Sequence, residues 1–371
     1  MGGTMRATRR PAAPVMPPDD AGPKRRDVIV RPVPLAMVWQ GPGSPHAAIA
    51  VPGVSLGSGD VLVAVEFATV CPVDAATVRG DGTANVPLVL GHEQVGRVAA
   101  IGDGAETADG ARLIVGMRVV WSRRIGCGEC DACRAGSPSG CATAREYGSD
   151  RLRRGWELSG GFATHVLVRA GTAIITVPEI VPAAVLAPVP CATALAAAAL
   201  EIVAEATEVD GESVVVVGAG LVGLTIAAML ADEGARVVMV EADAVRRSRA
   251  VKFGAVSAVC DLTAAAADGR VIAAVVDTDG GQEAARPHAA VRSHDAVVIS
   301  TGAATGGAIT IVDRPDPRHL AAAVGFISNA WYRFPFERLV AERYPLERLD
   351  VALRAASDTP AVRVGIETAS R

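Results

Sequence analysis

The chain has 371 residues, 36 basic against 40 acidic side chains and a formal net charge of −4, with half its residues hydrophobic. That length supports roughly two domains with real cores, and the charge balance supplies no global positive field to recommend nucleic acid as a partner. The alanine-rich run near residues 192–200 is too short to span a bilayer, so the expectation is a cytoplasmic protein with no membrane partner.

In chain order, residues 1–35 are rich in Pro, Arg and Ala and lack the apolar core of a secretory signal, so they read as a flexible tail. Met37 is an alternative start, because patterned sequence begins there. From residue 37 to about 170 the pattern is β-rich. Strands are expected at 61–65, 95–101, 118–121 and 162–168, punctuated by Gly and Pro. Residues 146–161 form a polar loop with a basic centre of Arg151, Arg153 and Arg154.

The texture changes after Pro190. A helix is expected over 191–205, then a buried strand at 213–217, a glycine turn, a helix to about 233 and a second strand at 236–240. A helix over 244–253 ends at Gly254, and further strands fall at 271–276 and 296–300. This alternation predicts a parallel sheet with helices on both faces. A helix starting near Pro345 and a strand over 361–367 close the chain.

Gly218, Gly220 and Gly223 sit between a buried strand and a helix that opens with Leu221 and Val222. Such a turn brings the pyrophosphate of a dinucleotide against backbone N–H groups at a helix N-terminus. Glu241 ends the next strand, where a carboxylate accepts from ribose hydroxyls and repels a 2′-phosphate, which favours NAD. Arg246 and Arg247 keep NADP open.

Seven cysteines are present, and Cys127, Cys130, Cys133 and Cys141 fall within fifteen residues. Four thiolates so close can wrap one tetrahedral zinc with no open position, a structural site; Gly126, Gly128, Gly136 and Gly140 supply the turns. An iron–sulfur centre also uses four cysteines. Cys71, His92, Glu93 and Cys191 are further candidate ligands, but spacing alone does not join them, and a lone Cys or His is commonly structural.

Taken together, Cys71-x-x-Asp74, Gly91-His92-Glu93, the four-cysteine lobe, Gly161-Phe162-Ala163, Cys191 before an alanine-rich helix and the Gly218 turn occur in an order that resembles the zinc-containing medium-chain dehydrogenase/reductase family over residues 36–371. The resemblance implies an α/β architecture. A β-rich, GroES-like catalytic domain spans 36–190 and is completed by 325–371, and a doubly wound Rossmann domain of 191–324 binds NAD. It implies a catalytic zinc on Cys71, His92 and Cys191, with Glu93 as a second or alternating ligand. Two zincs per chain are then expected, the catalytic site keeping an open position. Asp74 would orient His92. The implied reaction is hydride transfer between an alcohol, or its carbonyl product, and NAD in a homodimer or homotetramer. The segments 147–148, 155–161 and 170–173 further resemble alcohol dehydrogenases associated with phosphonate metabolism.

One departure stands out. The family usually carries Ser or Thr at position 73 and often His at position 76, to pass on the alcohol's proton. Here they are Val73 and Ala76, which carry none. Water or Glu93 could take that role, the enzyme could run mainly in reduction, or the site could be repurposed. A non-catalytic NAD-binding protein and a zinc-independent reductase of the same fold are the rivals. The arginines at 151, 153 and 154 read as a solvated surface or as a clamp for an anionic substrate. Trp156, Trp331, Tyr332 and Phe334 are candidate cleft aromatics, core packing being their default, and Cys260 reads as a spare buried thiol.

Overall fold

A computed structural model describes residues 25–265, 269–279, 297–300, 309–311, 314–359 and 361–368. The strand Val61–Val70 is apolar except at Glu66 and Thr69 and is buried over most of its length. One edge pairs antiparallel with Gln94–Ile101; the other is shared, its first half by His165–Val168 and its second half by Arg363–Glu367. Arg118–Trp121, Ile174–Thr176 and Val340–Pro345 complete a seven-stranded sheet. The last strand of the chain is thereby built beside the strand that leads into Cys71. A three-stranded sheet of Ala47–Ala50, Leu35–Trp39 and Leu88–Val89 packs nearby. This is the β-rich, GroES-like part.

The second sheet has six parallel strands in the order Ser257–Val259, Arg236–Val240, Ser213–Val217, Ile272–Asp277, Val297–Ser300 and Ile309–Ile311. Every residue of Ser213–Val217 is buried, as a central parallel strand covered on both faces requires. Chain order reverses between Ser213–Val217 and Ile272–Asp277, and in a doubly wound sheet that crevice is where a dinucleotide lies.

Several expectations change in detail. Arg26–Val28 is a strand paired with Val54–Leu56, and Arg25 bonds Ser55, so the part of the 1–35 segment from Arg25 onward is held against the fold. Residues 1–24 lie outside the described residues. The helical stretch before the Rossmann sheet is longer than expected, Ala183–Ala206, with mean hydropathy 1.9. It is long and apolar enough to cross a membrane, but 78% of its apolar window is buried within the fold. Its prolines are tolerated because a π-turn, Val189–Thr193, interrupts the helix before Ala194–Ala206. The helix expected over 244–253 is two short pieces, Ala244–Arg247 and Ala250–Phe253. Pro317–Ala330 is a helix across the expected boundary at 324/325, and its buried face shares one apolar core with Ala194–Ala206.

Candidate metal and cofactor site

Cys71 stands where strand Val61–Val70 gives way to the helix Pro72–Arg79, for which it is the N-cap. His92 leads into Gln94–Ile101, the neighbouring strand, and Thr69 N bonds Glu93 O at 2.9 Å, so pairing brings the Cys71 and His92 ends together. Cys191 arrives from the π-turn. The two sulfurs and an imidazole nitrogen lie within 4.8 Å of one another. Around one tetrahedral zinc such atoms stand about 3.8 Å apart or less, so the group fits.

Asp74 orients the trio. One of its oxygens accepts from Cys71 N at 3.0 Å and the other lies 3.3 Å from His92 Nδ1. That leaves the buried Nε2 of His92, which has no hydrogen-bond partner among the described residues, as the nitrogen available to a ligand. Without a cation, hydrogen bonding to Cys191 and burial hold the Cys71 thiol well above its usual range. Burial and Arg123 pull the His92 imidazole down, but Asp74 and Cys71 outweigh them and it rises to about 9. A dication binding here would displace those protons.

Glu93 does not join the trio. Its oxygens are taken by Arg363, at 2.8 and 2.9 Å, and by Thr69 Oγ1 at 2.7 Å. The expected second or alternating ligand is, in this geometry, the buried counter-ion of an arginine.

The four sulfurs of Cys127, Cys130, Cys133 and Cys141 also lie within 4.8 Å of one another. Backbone N–H groups point at them: Cys127 N donates to Cys141 Sγ at 3.4 Å and Cys130 N to Cys127 Sγ at 3.3 Å. Those bonds favour thiolate, and with Thr143 they bring Cys141 down to about 6. Sulfurs this close suit a single ion better than a multi-iron cluster. The lobe is tied to the rim of the cofactor cleft. Asp316, at the N-cap of Pro317–Ala330, accepts from Ser137 Oγ at 2.6 Å and Ser139 N at 2.9 Å.

At the glycine turn, Gly218 has φ +94°, and a Cβ on Gly223 would stand 1.9 Å from Gly218 O. Only glycine permits that approach of helix to strand. Leu221 begins the helix Leu221–Asp232, and Gly220 is its N-cap. Glu241 Oε2 accepts from Ala219 N at 2.9 Å and pairs with Arg246 Nε at 3.1 Å, while Oε1 accepts from Asp243 N at 2.9 Å. The carboxylate thus pins the glycine turn and carries Arg246 across it. One cavity of about 750 Å³ is lined by Cys71, Cys191, Gly220, Leu221, Val222 and Arg246, joining the trio to the turn.

Residues 57–179 match the family model of the alcohol dehydrogenase GroES-like domain, and residues 212–256 match that of an FAD binding domain. The second match covers strand, glycine turn, helix and acid-ended strand, a unit that dinucleotide-binding folds share. L-threonine 3-dehydrogenase from Aeromonas hydrophila is 33% identical over 217 residues, 56% of this chain and 57% of that protein. The aligned part therefore spans little more than half the length of that curated relative. Among solved structures, an alcohol dehydrogenase from Thermotoga maritima superposes with a TM-score of 0.83 at 24% identity, covering 90% of this chain and 99% of that one. Galactitol-1-phosphate dehydrogenase from Escherichia coli gives 0.75 at 19% identity, covering 90% and 100%.

Residues 57–179 are thus an alcohol dehydrogenase GroES-like domain, and the chain has the fold of the alcohol dehydrogenase structures it superposes on.

Other expected residues fall elsewhere. Arg151, Arg153 and Arg154 are exposed and do not line the cavity. Trp156 packs edge-on against Tyr147 at 5.5 Å and donates to Leu167 O. Phe334 stacks with Phe253 and Phe326, Tyr332 is 70% exposed, and none of the four candidate aromatics lines the cavity. Cys260 is exposed rather than buried, bonded to Asp261 at the end of an edge strand. Conversely, sequence reasoning missed Arg123, Arg124, Glu146 and Arg363, all on the cavity wall. The one local signal was a pair of arginines at the exit of the buried strand Arg118–Trp121.

Proposed function

We propose that the chain moves a hydride between an alcohol/carbonyl pair and NAD(H), with zinc bound by Cys71, His92 and Cys191. The observation that carries this is the single cavity shared by those sulfurs and the glycine turn. Two thiolates and a neutral imidazole are three donors, a set that leaves zinc a fourth position for substrate oxygen. When bound, zinc supplies the Lewis acidity that favours loss of the alcohol's proton, and the nicotinamide supplies the hydride acceptor.

The protein's own part is positional. Asp74 fixes the His92 ring. The first turn of Leu221–Asp232 offers free N–H groups to the cofactor's phosphates. Glu241, at the end of its strand, favours the unphosphorylated ribose of NAD. The walls hold donor and acceptor carbons at about 3–3.5 Å. Val73 lines the cavity, half exposed, and passes no proton on. Ser122, Thr278, Ser357 and Thr359 are the hydroxyl residues lining that cavity among the described residues, and water beside them is a route that does not need the occupied Glu93. The absence of a protic side chain at position 73 also motivates a second reading, an NAD-binding protein without turnover.

Metal content and turnover test this. The zinc-loaded chain is expected to carry about two zincs and to reduce NAD with alcohols of graded size and charge. Cys71→Ser should remove one zinc and the turnover while NAD binding persists. A single zinc in the parent chain, with no NAD-linked turnover of any alcohol or carbonyl, overturns the proposal. Two zincs and tight NAD without turnover favours the second reading.

A further inference from the structure

We propose that Arg123 and Arg124 form an anion-reading subsite, so that the alcohol or carbonyl substrate carries a carboxylate, phosphate or phosphonate group. This rests on the dehydrogenase reading above and names its substrate class.

Both residues leave the buried strand Arg118–Trp121 directly onto the cavity wall that Cys71 and Cys191 also line. Their backbone is fixed. Ser122 N bonds Ala173 O, Tyr147 N bonds Arg123 O, and Arg124 pairs with Glu146 across two short strands. The side chains are largely covered, 26% exposed for Arg123 and 14% for Arg124. Arg123 lines the same cavity as Cys71 and Cys191 of the ligand trio.

Charge is the deciding feature. The two guanidinium groups share one carboxylate, Glu146, at 3.3 and 3.4 Å. Asp74 is committed to His92 and to Cys71 N. Two other arginines of the cavity are matched one to one, Arg363 by Glu93 and Arg246 by Glu241. Arg123 and Arg124 are instead two guanidinium groups sharing a single carboxylate.

Their hydrogen bonding is also incomplete. Arg123 donates to Ser149 Oγ, but among the described residues its buried Nε has no hydrogen-bond partner, nor has Nη1 of Arg124, whose Nε meets Glu146 only as a 3.4 Å ion pair. An anionic substrate group held against this wall would supply the second negative charge that the pair of guanidinium groups lacks, which a neutral alcohol cannot. Guanidinium is the group that meets carboxylate and phosphate oxygens in a fork. The cofactor's phosphates have their own donors at the glycine turn. The exposed Arg151, Arg153 and Arg154 lie off the cavity, so the clamp role considered for them passes to this pair.

Calorimetry on the zinc-loaded, NADH-bound full chain tests the assignment without requiring turnover. The probes are 2-hydroxyethylphosphonate, 3-hydroxypropanoate, glycerol 3-phosphate and neutral 1-propanol. The anionic probes should bind roughly tenfold or more tightly than propanol, with affinity falling as salt rises. Which of them binds best identifies the anion. Arg123→Gln/Arg124→Gln should lose roughly tenfold or more for the anions and nothing for propanol, and Arg123→Lys should keep part of the gain. Equal affinity for anionic and neutral probes in the parent chain, or no binding of any anion, overturns the subsite even if the double variant fails to fold. Tight anion binding without hydride transfer would leave the subsite standing and sink the dehydrogenase reading alone.

Discussion

Arg363 grips both oxygens of Glu93, through Nε at 2.8 Å and an Nη at 2.9 Å, and the two residues are 270 positions apart. Both side chains are almost wholly buried. The pair joins the last strand of the chain to the strand that presents His92. Removing one partner leaves an uncompensated charge that is almost wholly buried. Arg363→Met is therefore expected to destabilise the fold by roughly 3–5 kcal/mol. Glu93→Gln/Arg363→Met should recover much of that loss, because no lone charge remains. Chemical denaturation of the three chains measures it, and a double variant no better than the single would contradict the account.

Glu241 has a second task beside its expected one, since it accepts from Ala219 N and Asp243 N and holds Arg246. Glu241→Ala frees that arginine beside the ribose position. The ratio of kcat/KM for NAD over NADP should fall by about tenfold or more. Parallel titrations of the two cofactors check this, and an unchanged ratio would show that Glu241 serves only the turn.

Val73 offers the cavity a hydrocarbon surface where a hydroxyl would carry a proton. Val73→Ser should speed alcohol oxidation by about tenfold or more and flatten its dependence on rising pH, since a positioned proton carrier commonly contributes at least that much. A pH–rate profile of both chains is the measurement. Identical profiles would mean that water along Ser122, Ser357 and Thr359 already suffices.

The parts legible in the sequence were those whose chemistry is local. The four cysteines of the lobe are close neighbours in the chain, and the glycine turn is framed by its own strand and helix. Cys71, His92 and Cys191 became a group only through the order of many landmarks, because the strand pairing that unites them joins distant segments. The ion pair of Glu93 was hidden for the same reason: nothing near it in sequence announces Arg363. Pro188 and Pro190 read as helix breakers, yet a π-turn accommodates them and makes Cys191 part of a longer helical run. Arg26–Val28, flanked by arginine and proline, lacks strand patterning and is held by pairing with Val54–Leu56 and by the bond from Arg26 to Ile101 O. Arg123 and Arg124 are only two charges in a row until the sheet turns them toward the cavity.

Asp316 fastens the cysteine lobe to the helix beside the dinucleotide crevice through Ser137 and Ser139. An ion that never meets substrate can in this way govern how firmly the doorway for the cofactor is framed. Chelation at the lobe would then announce itself first as a slack grip on the dinucleotide, before any general collapse of the protein.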